Sequence, residues 1–322
     1  MSKSVVLGVD IGGTKVAAGL VSSDGAVQSK ARVPMVAAAD AATGFAAVKS
    51  AIDAVLEANP GARNRLGGIG ICSPGPLDPR TGVVINPPNL PCWRNFALAA
   101  EVERAFGVAA RVDNDANAAG LAEAIWGAAR GYQNIFYATI GTGIGTGIVF
   151  GEHIYHGRTG SAAEGGHITI DYRGPRCACG KQGCVEAMCS GPAIAQRARA
   201  RLLEENNRGS ILRELTQGNL AKLNAEQVGD AFRAGDALAA EVLRETADLL
   251  TVWLGNVIDF LEPDVIVIGG GAGELINSFF GRIQEQLPRW SINQRCGEIP
   301  LLKASYGADA GIAGAAALCA VS

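Results

Sequence analysis

No uncharged apolar run of 18 residues occurs in this 322-residue chain, so it offers no candidate transmembrane helix and no membrane partner is expected. The opening MSKSVVLGVDIGG lacks the apolar core and cleavage site of a secretory signal and reads as a strand and turn, which points to a cytoplasmic protein. Basic charge is not in excess. Lys and Arg number 28 against 31 Asp and Glu, for a net charge of −3 and a pI near 5.7. A broad nucleic-acid footprint would need a basic face, so no nucleic-acid partner is expected. No low-complexity linker is visible, and there is no room for a basic helix-turn-helix before residue 5. Charged residues are few, at 18%, beside 48% hydrophobic ones, which leaves ample material for a core. The length suggests two domains or lobes. Eight cysteines without a secretory signal are expected to be reduced thiols. Cys72, Cys92, Cys189, Cys296 and Cys319 read as small buried residues.

The other cysteines are grouped. His167, Cys177, Cys179 and Cys184 follow the pattern H-x9-C-x-C-x4-C. One imidazole and three thiolates make a complete tetrahedral set for Zn²⁺, and a closed set is structural because no position is left to activate water. Gly180 and Gly183 suit a short loop folding back around a metal. Disulfides or scattered core thiols are the alternative, and this spacing in a reduced chain favours metal. Glu164 and Glu186 frame the cluster.

Two familiar phosphate loops are missing. Neither GxxxxGK[ST] nor GxGxxG is present. In their place stand two similar strand–turn–strand units. Val5 to Val9 and Val16 to Val21 flank Asp10-Ile11-Gly12-Gly13-Thr14-Lys15. Asn134 to Ile140 and Ile148 to Phe150 flank Gly141-Thr142-Gly143-Ile144-Gly145-Thr146-Gly147. Duplication of an α/β half explains the pair economically. Glycines let backbone N–H groups approach an anion, Thr14 adds a hydroxyl, and Asp10 is of the type that meets hydrated Mg²⁺. The first turn equally suits a plain Gly-Gly hairpin, whereas alternating glycines in the second favour phosphate contact. A third glycine run, 269–273, closes the strand Val265 to Ile268 before a helix, as at many nucleotide-contacting edges. The abundance of glycine, 43 residues, predicts many tight turns or backbone approaches to ligand.

Asp113-Asn114-Asp115-Ala116-Asn117 precedes an Ala-rich helix expected over 118–126. One Asp or Asn there is ordinarily an N-cap, but capping does not account for so many polar side chains. Helices are also expected at Phe45 to Glu57, Phe96 to Phe106, Gly191 to Leu203, Ala225 to Ala234 and Ala237 to Leu261, the last apolar on most faces and so buried.

DIGGTK at 10–15, DNDAN at 113–117, GTGIGTG at 141–147, EGGH at 164–167 and CACGKQGCVE at 177–186 together resemble the ROK family, which contains bacterial sugar kinases and repressors. The resemblance covers almost the whole chain. It implies an actin-like, hexokinase-like (ribonuclease H-like ATPase) α/β fold of two lobes with an interlobe cleft. The expected division is 1–114 plus 309–322 as the small lobe and 115–308 as the large lobe with the zinc site. The implied activity is ATP-dependent phosphorylation of a hexose at its 6-hydroxyl, glucose first. A fructokinase, an N-acetylhexosamine kinase or a non-enzymatic sugar-binding regulator is the alternative. By resemblance Asp115 is the catalytic base. Asn89, Asn114, Glu164, His167 and Glu186 are sugar contacts. Asp10, Gly12, Gly13, Thr14, Lys15, Gly141, Thr142, Gly143, Gly270 and Gly271 are the ATP side. The implied cofactors are ATP, Mg²⁺ and structural Zn²⁺ on His167, Cys177, Cys179 and Cys184, and a homodimer or higher oligomer is expected.

Overall fold

The computed structural model describes residues 5–38, 40–204 and 210–320. β1 (Val5–Ile11) turns antiparallel into β2 (Lys15–Val21), and β3 (Val27–Pro34) pairs antiparallel with β2. Helix α1 (Ala41–Glu57) leads to β4 (Leu66–Ser73), which lies parallel to β1. A small hairpin, β5 (Leu77–Asp78) and β6 (Val83–Val84), precedes α2 (Leu98–Phe106), β7 (Ala110–Asn114), parallel to β4, and α3 (Asp115–Ile125). The first sheet has the order β3-β2-β1-β4-β7.

The pattern then recurs. β8 (Asn134–Ile140), β9 (Ile144–Phe150) and β10 (His153–Ile154) are followed by α4 (Val185–Cys189), α5 (Gly191–Leu202), α6 (Leu212–Leu215), α7 (Ala225–Arg233) and the long α8 (Ala237–Leu261). β11 (Val265–Gly269), α9 (Gly271–Ile276), α10 (Phe280–Gln286), β12 (Leu301–Lys303) and α11 (Ala310–Ala317) complete the order. The second sheet runs β10-β9-β8-β11-β12, so each sheet orders its strands third, second, first, fourth, fifth. This is the duplication expected from the paired strand–turn–strand units.

Two compact units result, Met1–Tyr137 with Gly147–Ala163 and Ser305–Ser322, and Ala138–Thr146 with Glu164–Ala304. The division differs from the sequence-based one for residues 115–137, 147–163 and 305–308, which join the N-terminal unit. The cause is packing: α3 lies along α11 and follows directly from β7. Among the described residues no helix is long and apolar enough to cross a membrane.

Leu7, Val9, Ile69 and Ile71 of the first sheet share one buried cluster with Val48 and Ile52 of α1 and Val102 of α2. The opposite face takes α11 at close range. Gly19, Gly8 and Gly70 stand in register across β2, β1 and β4. A Cβ on Gly8 would come within 2.0 Å of the Ile312 carbonyl oxygen, and one on Gly70 within 1.7 Å of that of Ala315. These three glycines therefore serve helix-on-sheet packing, a use the composition alone did not indicate.

Candidate active site

In the first unit the DNDAN segment spans the end of β7 and the start of α3, so the helix begins at Asp115 and not at Ala118. Asn114 is the N-cap, its Oδ1 accepting from the backbone N–H of Ala116 (2.9 Å) and of Asn117 (3.4 Å). Asp113 is buried. Its Oδ1 accepts from the N–H of Asn114 (2.7 Å) and from Asn117 Nδ2 (3.1 Å), while its Oδ2 lies 2.6 Å from His156 Nε2. Asp115 is exposed on the first turn, with Oδ1 accepting from the Ala116 N–H at 2.8 Å. The three polar residues thus differ in role. Asp113 is a buried latch, Asn114 is a cap, and Asp115 is an exposed carboxylate on the first turn of α3.

The first glycine turn, between β1 and β2, closes with the Gly12 N–H donating to the Lys15 carbonyl at 2.9 Å. Thr14 and Lys15 are exposed. A Cβ on Gly13 would lie 2.9 Å from the Asn89 carbonyl oxygen, so Asn89 is held against this turn. Asp10 closes β1. Burial raises its carboxyl above the ordinary 3.8, partly offset by the Cys72 thiol, Lys15 and Arg32. Cys72 Sγ donates to Asp10 Oδ1 (3.5 Å) and to the Gly311 carbonyl (3.3 Å), and a Cβ at Gly311 would sit 2.5 Å from Asp10 Cγ. Cys72, expected to be core filling, touches a candidate site residue.

In the second unit the turn after β8 is short. β9 starts at Ile144, so only Gly141–Gly143 forms the turn, and Gly145 to Gly147 are strand. The Gly141 N–H bonds to the Gly143 carbonyl at 2.9 Å, and the Gly141 carbonyl accepts from the N–H of Gly191, at the start of α5, at 2.8 Å. Gly270 has a φ of 84°, and a Cβ there would meet the Ile140 carbonyl at 2.4 Å, so backbone geometry demands glycine. Gly141, Thr142 and Gly271 line a cavity of about 870 Å³ with Gln196, Arg199, Asn224, Arg233 and Glu274. Its size is in the usual range for small-molecule sites. The polar residues of α5, α7 and α9 on this wall were not legible in the sequence, because nothing in their spacing marks them.

The metal candidates converge. His167 Nδ1 is 3.7 Å from Cys177 Sγ, Cys179 Sγ is 3.7 Å from Cys184 Sγ, and all four donor atoms lie within 4.8 Å of one another. Zn–S bonds of about 2.3 Å set sulfur–sulfur edges of about 3.8 Å in a tetrahedron, so the donor set fits zinc. Burial, with the neighbouring Cys179 and Cys177 thiols, pushes Cys184 up to about 12, a crowding of sulfurs that a bound dication would relieve. Trp253 of α8 donates its indole N–H to the Gly165 carbonyl at 3.1 Å, anchoring the EGGH segment. Glu164 is exposed at its start, and the Glu186 side chain is part-buried at the start of α4.

The ROK family model matches residues 6–321. A glucokinase of Thermotoga maritima is 34% identical over 319 residues, 99% of this chain and 98% of that protein. The crystal structure of a ROK family glucokinase from Streptomyces griseus in complex with glucose and AMPPNP has a TM-score of 0.83 at 32% identity, covering 98% of this chain and 99% of that one. A ROK family transcriptional regulator, a homolog of the E. coli MLC protein, has a TM-score of 0.87 at 26% identity, with 99% of this chain covering 78% of it.

Proposed function

The chain belongs to the ROK family, and from that premise we propose that it is an ATP-dependent hexose kinase that phosphorylates glucose at the 6-hydroxyl. Its fold is the actin-like, hexokinase-like α/β fold of its structural neighbours. The observation that carries the proposal is Asp115: with capping done by Asn114 and the latch by Asp113, an exposed carboxylate stands on the first turn of α3.

Asp115 accepts the proton of the 6-hydroxyl as its oxygen attacks the γ-phosphorus, and the bond to the β-phosphate oxygen breaks to release ADP. Catalysis is otherwise positioning and electrostatics. The N–H groups of Gly13 and Gly143, with Thr14, Lys15 and Thr142, are suited to the phosphates, the Gly12 and Gly141 N–H groups holding the two turns closed, and Asp10 is suited to the Mg²⁺ that accompanies ATP. The cavity beside Gly271 suits the adenosine. Glu164 and Glu186 offer acceptors to vicinal sugar hydroxyls, Asn89 and Asn114 offer amides, and His167 keeps Nε2 for a hydroxyl once Nδ1 faces the metal. His167, Cys177, Cys179 and Cys184 would hold zinc, which would supply rigidity and, with four protein donors, leave no open position for chemistry. Three thiolate ligands require a reducing compartment, so the cytoplasm is the expected location. A homodimer is expected too, and light scattering tests it.

A coupled ADP-release assay with glucose, fructose, mannose and N-acetylglucosamine decides the substrate. The highest kcat/KM is expected for glucose, and a better sugar among the others overturns the glucokinase assignment. No turnover of any of them, with sugar binding retained, identifies a regulator of the kind the similar ROK family transcriptional regulator represents.

A further inference from the structure

The Gly141–Gly143 turn carries a constraint unrelated to its own geometry. Gly143 has a φ outside the left-handed region, so its backbone tolerates any residue. What a side chain here would displace is Glu186: a Cβ at 143 would lie 2.5 Å from Glu186 Oε2 and 3.3 Å from its Cδ. That oxygen accepts from the Ile144 backbone N–H at 2.9 Å. The other oxygen, Oε1, is 3.9 Å from His167 Nδ1 and 3.9 Å from Cys177 Sγ. The neighbouring segment adds a further tie, with the Gly165 N–H donating to Thr146 Oγ1 at 2.8 Å.

We propose that Glu186 is a positioning residue for the nucleotide: one carboxylate oxygen fixes the Gly143–Ile144 peptide and so aims the turn's N–H groups before ATP arrives, while the other lies beside the zinc-ligand pair His167 and Cys177. The proposal rests on Gly141–Gly143 being the ATP phosphate turn, and it adds to the sugar role already assigned to Glu186. A charged acceptor on a backbone N–H is among the stronger hydrogen bonds, and it restrains the turn at its exit into β9. Gly143 is glycine to let that carboxylate approach.

Isothermal titration of Mg²⁺·AMPPNP into the full chain, without sugar, tests this. A Glu186 confined to the sugar leaves this affinity untouched. As a positioning residue it makes Glu186→Ala bind AMPPNP about 5- to 20-fold more weakly. Glu186→Gln, whose amide oxygen still accepts from Ile144, stays within about two-fold of wild type while its KM for glucose rises. Gly143→Ala, which displaces the carboxylate, weakens AMPPNP as Glu186→Ala does, and the double variant is no worse than either. Wild-type failure to bind AMPPNP removes the kinase assignment itself. Wild-type binding with unchanged affinity in Glu186→Ala, at normal zinc content and melting temperature, overturns the positioning role alone. So does equal loss in Glu186→Gln and Glu186→Ala. If Glu186→Ala does not fold, unchanged affinity in Gly143→Ala overturns the proposal.

Discussion

Asp115→Asn separates catalysis from architecture because the cap of α3 belongs to its neighbour. Asn114 satisfies the Ala116 and Asn117 N–H groups, and an amide at 115 keeps an oxygen for the 2.8 Å contact with the Ala116 N–H. What the fold loses is one negative charge at a helix N-terminus, about 0.3–1 kcal/mol at an exposed position. For a chain of this size that is a melting shift of no more than about 3 °C. The reaction loses its proton acceptor, which is expected to lower kcat about 10²–10⁴-fold, or about 3–5 kcal/mol of barrier. Asn114→Ala is the counterpart. It removes the cap, costs about 1 kcal/mol, and moves the melting temperature by more than Asp115→Asn does. Steady-state ADP release with glucose, beside thermal melts of both variants, reads the two effects. Near-normal turnover in Asp115→Asn, or a melting loss equal to that of Asn114→Ala, would refute the division of roles and leave Asp115 a helix-start residue.

Cys179→Ser removes one of four metal donors. The purified variant should contain little zinc by metal analysis, melt lower and show a raised KM for glucose, and wild-type protein free of zinc yet fully active would reject a metal site. Asp10→Asn addresses burial of charge. The folded chain holds the Asp10 proton more tightly than the unfolded one, whose value is near 3.8, so this group's contribution to stability falls as pH rises through the window above 3.8. The variant should match or exceed the wild-type melting temperature at pH 7, the difference shrinking as pH falls toward that window, while kcat/KM drops; a clear destabilisation at pH 7 would contradict this. Gly8→Ala forces a Cβ to 2.0 Å from the Ile312 carbonyl oxygen and should cost about 1–3 kcal/mol or more in chemical denaturation, since backbone has to move; a neutral effect would show that α11 is free to shift.

The sequence by itself determined what depends on local chemistry and repetition. Two strand–turn–strand units at 5–21 and 134–150 led to two sheets of identical strand order, because hairpin register follows from turn glycines and β-branched runs. The H-x9-C-x-C-x4-C spacing led to four donors within 4.8 Å of one another, because the ligands lie on one short segment. Tertiary structure alone decided contacts made across long stretches of chain. DNDAN reads as a run of equivalent polar residues until β7 buries Asp113 against His156 and so leaves Asp115 exposed. Cys72 looks like core filling until β4 lies beside β1 and brings its thiol to Asp10. Gly143 looks like a phosphate glycine until Glu186, 43 positions later in the chain, arrives within 2.5 Å of where a Cβ would stand. What a side chain does is set by what is packed against it, and that packing is non-local: residues distant in sequence meet only when sheets and helices stack.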